Sequence, residues 1–97
     1  MEEKLLNSIS RSLNISKEEI LEESINSFLD RELRKAYSEI EKLKGKYEVD
    51  KPGELKEKIE KGKEKPHPAW EELIEWERLH KRIIEIEKWR KEIPIPA

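Results

Sequence analysis

The run LDRELRKAYSEIEKLKGKY, residues 29–47, decides the fold of this chain. Its apolar side chains recur at alternating spacings of three and four residues, which aligns them along one side of an α-helix. The aligned side chains are Leu29, Leu33, Ala36, Ile40, Leu43 and Tyr47. Such a line is the seam of a coiled coil or of a helical hairpin, so a second long helix is needed to cover it.

The helix that carries this seam, helix 2, has recognisable signals at both ends. Ser16 is a strong N-cap residue, and Glu19, three residues later, completes a capping box. At the other end, Gly45 can adopt the left-handed conformation that closes many helices. Helix 2 is therefore predicted to begin after Ser16 and to end near Lys44.

A shorter helix 1 is predicted upstream, from about Glu2 to Ser12, with a single stripe of leucine and isoleucine side chains. The first half of helix 2 carries a broader apolar stripe that is suited to packing on helix 1. This stripe consists of Leu21, Ile25, Phe28 and Leu29. We therefore expect helix 1 to pack on one end of the hairpin.

The second long helix, helix 4, is predicted from Pro68 to Glu92, because proline suits the first turn of a helix and Pro94 cannot continue one. When the residues are projected at about 100° each, seven apolar side chains fall on one side. They are Ala69, Leu73, Trp76, Leu79, Ile83, Ile86 and Ile93. This stripe should pack antiparallel against the seam of helix 2, with Trp76 in the core.

Helix 4 has more apolar surface than one neighbouring helix can cover, and a 97-residue chain has little interior in which to hide the rest. The residues off the packing stripe, together with one in the apolar tail 93–97, are the predicted partner-binding residues. They are Trp70, Ile74, Ile84, Trp89 and Ile95. Aromatic side chains are preferred anchors of protein interfaces.

A short helix 3, from about Glu54 to Lys61, offers the alternative explanation. It could fold back so that its two apolar residues, Leu55 and Ile59, cover Trp70 and Ile74 within the same chain. The sequence leaves both readings open, and we favour contact with another chain, mainly in a symmetric homodimer.

These elements predict one all-α domain over residues 1–97, a long antiparallel hairpin of helices 2 and 4 with two shorter helices. Residues 1–45 form a helix-turn-helix half of the dimerisation type. Residues 46–66 supply a turn, the short helix and a linker. Residues 67–97 hold the tryptophan-containing helix and a proline-rich tail.

Composition narrows the class of protein. Charged residues make up 45% of the chain but nearly cancel, at a net charge of −2, which argues against a nucleic-acid binder. Cysteine is absent, so disulfides and thiolate metal sites are excluded. Glutamine and threonine are also absent, a bias typical of proteins from hot environments. With no signal peptide or membrane-length apolar run, the expected location is the cytoplasm.

Patterns that could carry chemistry are weak. Glu77-x-x-His80 is only half of a di-iron carboxylate motif. The runs that begin at Glu18 and Glu71 read E-E-x-x-E, a pattern with which all-α nucleotide pyrophosphohydrolases hold Mg²⁺, but the E-x-x-D that those enzymes also need is missing. We therefore predict no enzyme, no metal and no cofactor. The alternatives are a structural homodimer of unknown role and a magnesium-dependent enzyme of the all-α nucleotide pyrophosphohydrolase kind.

The stretch LLNSISRSLNISKEEILEESINSFLDRELR, residues 5–34, resembles the two-helix part of ribbon-helix-helix antitoxins. Asn14 stands where that family usually has glycine, and asparagine tolerates the left-handed conformation required there. Those proteins read DNA with a β-strand ahead of the first helix, and only residues 1–4 precede it here. The resemblance therefore implies no DNA contacts.

The second half of the chain is similar to small archaeal antitoxins of toxin–antitoxin pairs. The similarity rests on KYEV at residues 46–49, the Glu/Lys-rich segment 54–61, Gly62 and HPAWEELIEWE at residues 67–77. It implies a non-enzymatic protein that binds and blocks a toxin, and it transfers no catalytic residue. The expected partners are thus a second copy of the chain and a cognate toxin protein.

Overall fold

A computed structural model of the chain describes residues 2–93, which form four helices and contain no strand. The helices are α1 (Glu2–Leu13), α2 (Lys17–Tyr47), α3 (Pro52–Glu60) and α4 (Pro66–Glu92). The predicted all-α class is therefore confirmed. The proline-rich tail, including Ile95, lies outside the described residues.

The two long helices, α2 and α4, pack against each other as an antiparallel hairpin, as predicted. Polar contacts along their length fix the register. Arg90 approaches Asp30 at 3.7 Å near the open end, and the Tyr47 hydroxyl donates to Glu72 at 2.8 Å near the closed end. The seam of α2 and the stripe of α4 therefore face each other.

The core lies along this seam and contains most of the residues that the two periodicities predict, although Ile93 follows the end of α4 and is only partly buried. Trp76 has no exposed surface, which confirms its predicted core position, and Leu33 is only partly buried. The buried side chains of the two long helices are Leu29, Ala36, Ile40, Leu43, Tyr47, Ala69, Leu73, Trp76, Leu79, Ile83 and Ile86. No polar or charged side chain is buried among residues 2–93.

Helix α3 folds back onto α4 and closes one end of the core with Leu55 and Ile59. Gly62 follows this helix with φ 73°. The amides of Gly62 and Lys63 donate to the carbonyls of Ile59 and Lys58, at 3.1 and 2.8 Å. These two bonds form a Schellman motif, so the glycine fixes the end of the helix.

The predicted end of α2 at Gly45 is wrong, because the helix continues to Tyr47. Glu48 takes the left-handed conformation instead, with φ 53°, and the Val49 amide donates to the Lys44 carbonyl at 3.2 Å. Stopping at Lys44 would have removed Tyr47 from the seam. Burial of Tyr47 and Val49 in the core therefore outweighs the preference of glycine for the end position.

The start of α4 agrees with the prediction. His67 interrupts the first turn with extended backbone angles, φ −114° and ψ 129°, between Pro66 and Pro68. The uninterrupted helix begins at Pro68. His67 is therefore part of a rigid turn, and its exposed ring contacts Glu71 at 2.7 Å.

The N-terminal end of the molecule differs from its core. The turn between α1 and α2 is well defined, since Asn14 takes the left-handed φ of 56° and the Ser16 side chain accepts from the Glu19 amide at 3.1 Å. Yet α1 contains no buried residue. We call α1 together with residues 17–28 of α2 the N-terminal arm.

The arm gives the molecule an elongated shape of 62 × 27 × 17 Å, with a radius of gyration of 19.6 Å. A compact domain of this length would have a radius of gyration of about 12–13 Å. Since Arg90 of α4 lies beside Asp30, the first turns of α2 extend past the end of α4. The arm therefore projects beyond the hairpin core.

Candidate protein-interaction surfaces

The largest set of exposed apolar side chains lies on the N-terminal arm. Helix α1 was expected to cover the first half of α2, but this cover is incomplete. Five large apolar residues of the arm remain between 49% and 63% exposed. They are Leu5, Leu13, Leu21, Ile25 and Phe28.

Trp70, the first predicted partner-binding residue, is only half-buried. It packs against the edge of the core and lines a cleft between the start of α3 and α4. The cleft has a volume of about 150 Å³ and is also lined by Pro52, Gly53, Lys56, Leu73 and Glu77. Ligand pockets for small molecules usually measure about 300–1,000 Å³, so this cleft suits one or two side chains of a partner better than a substrate.

Ile74 lies one turn beyond Trp70 on α4 and is 58% exposed. Helix α3 therefore covers Trp70 in part and leaves Ile74 open. Residues four apart on a helix are neighbours on its surface, so Trp70 and Ile74 form one apolar surface beside the cleft. We call this surface, with Lys56 and Glu77 at its edge, the Trp70 cleft.

The remaining predicted partner-binding residues do not join this surface. Ile84 and Trp89 are both exposed, at 68% and 45%. Five residues separate them, so they point about 140° apart around the helix. Exposed apolar residues that occur singly are normal in soluble proteins. Ile95 lies outside the described residues.

The closed end of the hairpin contains a cluster of ionisable groups. Glu72 accepts hydrogen bonds from the Tyr47 hydroxyl at 2.8 Å and from Lys46 at 2.5 Å, while Lys58 donates to the Tyr47 carbonyl at 2.8 Å. Burial pushes the pKa of Glu72 upward, but the bonds from Lys46 and Tyr47 outweigh it and hold that pKa below its ordinary value. The cluster joins α2, α3 and α4.

The same contacts bear on the E-E-x-x-E run of α4. Glu71 contacts His67, Glu72 contacts Lys46 and Tyr47, and Glu75 accepts from Arg78 at 3.1 Å. Each carboxylate is therefore engaged by a different side chain. Within residues 2–93, no three His, Cys, Asp or Glu side chains are grouped so that they could hold a metal ion.

His80 has a local contact rather than a partner in a di-iron motif. The indole N–H of the buried Trp76 donates to His80 Nε2 at 3.3 Å, and the two rings meet edge to face with centroids 6.3 Å apart. His80 itself is exposed. Its contact satisfies the one polar atom of the largest core side chain.

Sequence reasoning missed the arm as an exposed surface. The residues were recognised as apolar, but they were assigned to contact with helix 1. The lengths of the two helices contain a usable signal, because the apolar seam of α2 begins closer to the N-terminus than α4 can reach.

None of the helices in the described part of the chain is long and apolar enough to cross a membrane.

These features define an elongated all-α protein whose helical hairpin leaves two apolar surfaces uncovered. A protein-family model described as "Uncharacterized protein MJ0235 family" matches residues 1–95, so the chain belongs to the MJ0235 family. No curated protein and no solved structure matches the chain.

Proposed function

We infer that this protein is a non-enzymatic interaction module of the antitoxin kind, which binds and neutralises a toxin protein through the Trp70 cleft. The observation that carries this inference is the half-buried indole of Trp70 beside the exposed Ile74. Large aromatic side chains that line a cleft are the usual anchors of protein interfaces.

The shape of the cleft supports a protein partner. Its floor is Leu73 and the indole of Trp70, and one cationic and one anionic side chain, Lys56 and Glu77, flank it. An apolar floor with a polar rim is the common pattern of protein–protein contact regions. The toxin as the specific partner rests on the sequence resemblance at residues 46–49 and 67–77.

The test is co-expression with the product of the gene that adjoins this one. We expect the two proteins to purify together and the growth defect caused by the neighbour to be relieved. Ile74→Glu places a charge on the exposed part of the surface, where folding should be little affected, and should weaken binding at least tenfold.

Glu85→Ala is the matched control, because Glu85 is exposed on the same helix and lies outside the cleft. It should bind like the unmodified chain in the same titration. The inference fails if the neighbour's product neither binds the chain nor loses its toxicity, or if both variants bind equally well.

A further inference from the structure

We propose that the N-terminal arm pairs in parallel with the same arm of a second copy of this chain, which makes the protein a symmetric dimer. This surface is distinct from the Trp70 cleft and contains none of the residues predicted from the sequence to bind a partner. The proposal rests on the length of the seam, the exposed area and the charges at its edges.

The seam of α2 is longer than the helix that covers it. Ile25 lies four residues before Leu29 and continues the buried line, while Leu21 and Phe28 lie at its side. Residues at i, i+4 and i+7 fall within about 60° of one another on a helix, so these three share one face. We call Leu21, Ile25 and Phe28 the arm face.

Helix α1 needs more contact than its own chain gives it. It has 12 residues and buries none of them. Isolated helices shorter than about 12–15 residues are marginal in water, and most helical stability comes from burial of an apolar face. Contact between the arm and a second molecule would supply this burial.

The exposed area is suited to one interface. The arm face alone exposes on the order of 300 Å² of side-chain surface, and Leu5 and Leu13 bring the apolar total of the arm to on the order of 500 Å². A stable interface of standard size takes about 800 Å² from each partner, of which roughly 60% is apolar. The arm face therefore supplies more than half of the apolar area that one side of a dimer requires, and contact with Leu5 and Leu13 would supply the rest.

Charges at the two edges of the arm face favour an identical face as the occupant. Lys17 lies at one edge, and Glu22 lies at the other. In a parallel helix pair, a residue at one edge meets the residue five positions later at the opposite edge of the partner. Lys17 of each copy would then meet Glu22 of the other, and this occurs twice by symmetry.

The same line on α2 limits the contact at both ends, since Glu18 lies seven residues before Ile25 and would face its own copy in a parallel pair. Beyond Phe28 it carries Glu32 and Lys35, which form an ion pair within one chain at 3.3 Å. In a parallel pair each would face its own copy, and like charges in contact are unfavourable. The two hairpin cores should therefore diverge after Phe28 and leave both Trp70 clefts open.

Sedimentation equilibrium of the full chain tests the pairing. The unmodified protein should have twice the mass of the 11.7 kDa chain at micromolar concentrations. Ile25→Glu should weaken the dimer at least tenfold, and the control Ile84→Glu, on an exposed residue outside the arm, should not. The proposal is overturned if the unmodified protein is still monomeric at about 100 µM. It is also overturned if Ile25→Glu leaves the dimer intact, or if a monomer binds another protein through the arm.

A cross-link tests the orientation of the two arms. It also tests the pairing itself if circular dichroism shows that Ile25→Glu does not fold. The chain has no cysteine, so a single Leu21→Cys variant is unambiguous. Mild oxidation should join two chains through residue 21, whereas Ile84→Cys should remain a single chain. Absence of the cross-link at residue 21 overturns the parallel pairing, because an antiparallel pair would place residue 21 near Phe28 of the other copy.

The two proposals can fail separately. Ile25→Glu should weaken the dimer at least tenfold and spare binding of the neighbouring gene product, while Ile74→Glu should weaken that binding and spare the dimer.

Discussion

At the scale of single residues, positions with positive φ decide where the first three helices end. Gly62 has a φ of 73° and Asn14 a φ of 56°, as their residue types favour. Glu48 takes a φ of 53° although Gly45, three residues earlier, could do so more easily. Local preference therefore predicts two of these three ends, and the third is set by packing of Tyr47 and Val49 in the core.

Glycine substitutions should report this difference directly. Gly45 lies inside α2 with open space around it, so Gly45→Ala should stabilise the protein by about 1 kcal/mol. Gly62→Ala should destabilise it by about 1 kcal/mol, because alanine is strained at a φ of 73°. Urea unfolding followed by circular dichroism, at one fixed protein concentration, measures both changes.

Gly53→Ala is the control for these two variants, since it lies in the first turn of α3 with nothing near an added methyl group. Its effect should be well below that of Gly45→Ala. If Gly45→Ala destabilised the protein, α2 would end at Lys44 and the account of Glu48 would be wrong.

At the scale of helices, the Glu72 cluster holds the closed end of the hairpin. Glu72 on α4 is bonded to Lys46 and Tyr47 on α2, and Lys58 on α3 is bonded to the Tyr47 carbonyl. Burial, followed by the bond to Glu72, raises the pKa of the Tyr47 hydroxyl. The bonds to the carboxylate therefore favour a charged Glu72 and a neutral Tyr47 in the folded protein.

This arrangement predicts an acid-sensitive contribution to stability. Because the pKa of Glu72 is lower in the folded chain than its ordinary value of 4.5, its stabilising effect is present at neutral pH and is lost as the pH falls through the folded pKa. Glu72→Gln should cost about 1–2 kcal/mol at pH 7. The difference from the unmodified protein should shrink below about pH 4.5, as thermal unfolding across a pH series would record.

Glu75→Gln serves as the comparison for Glu72, because Glu75 lies on the exposed side of the same helix and contacts the exposed Arg78. It should change stability by less than about 0.5 kcal/mol at any pH. Equal effects of the two substitutions would mean that the cluster contributes nothing specific.

The spacing of apolar residues predicts which helices pair, but it does not predict how much of each apolar face is covered. The apolar positions of α2 and α4 define the seam and its antiparallel partner, including the core position of Trp76. Spacing does not say how far one helix reaches along another. The exposure of Leu21 and Phe28 therefore follows from where α4 ends along α2, which the contact between Arg90 and Asp30 shows.

At the scale of the whole molecule, the fold brings two of the predicted partner-binding residues together and keeps two others apart. Trp70 and Ile74 meet beside a cleft because the start of α3 covers Trp70 only in part and leaves Ile74 open, whereas Ile84 and Trp89 stand apart. Turns and the docking of a nine-residue helix depend on long-range packing that a local pattern does not contain.

The inferred hot environment stays a prediction, which a melting temperature would test.

Stability should be distributed unevenly along the molecule. At dilutions where the chain is monomeric, amides of α1 should exchange with solvent orders of magnitude faster than those around Trp76, because α1 buries no residue. Mass-spectrometric hydrogen exchange resolves the two regions. At high concentration the arm should gain protection while the region of Trp76 changes little, and equal protection of both regions at all dilutions would contradict this picture.

The 62 Å length of the molecule also affects how its size can be measured. A rod-like particle experiences more friction in water than a sphere of equal mass, so a single copy should elute early from a gel-filtration column calibrated with globular standards. An apparent mass near that of two chains could then arise from shape alone. Light scattering, which reads mass without reference to friction, distinguishes a long single chain from a pair.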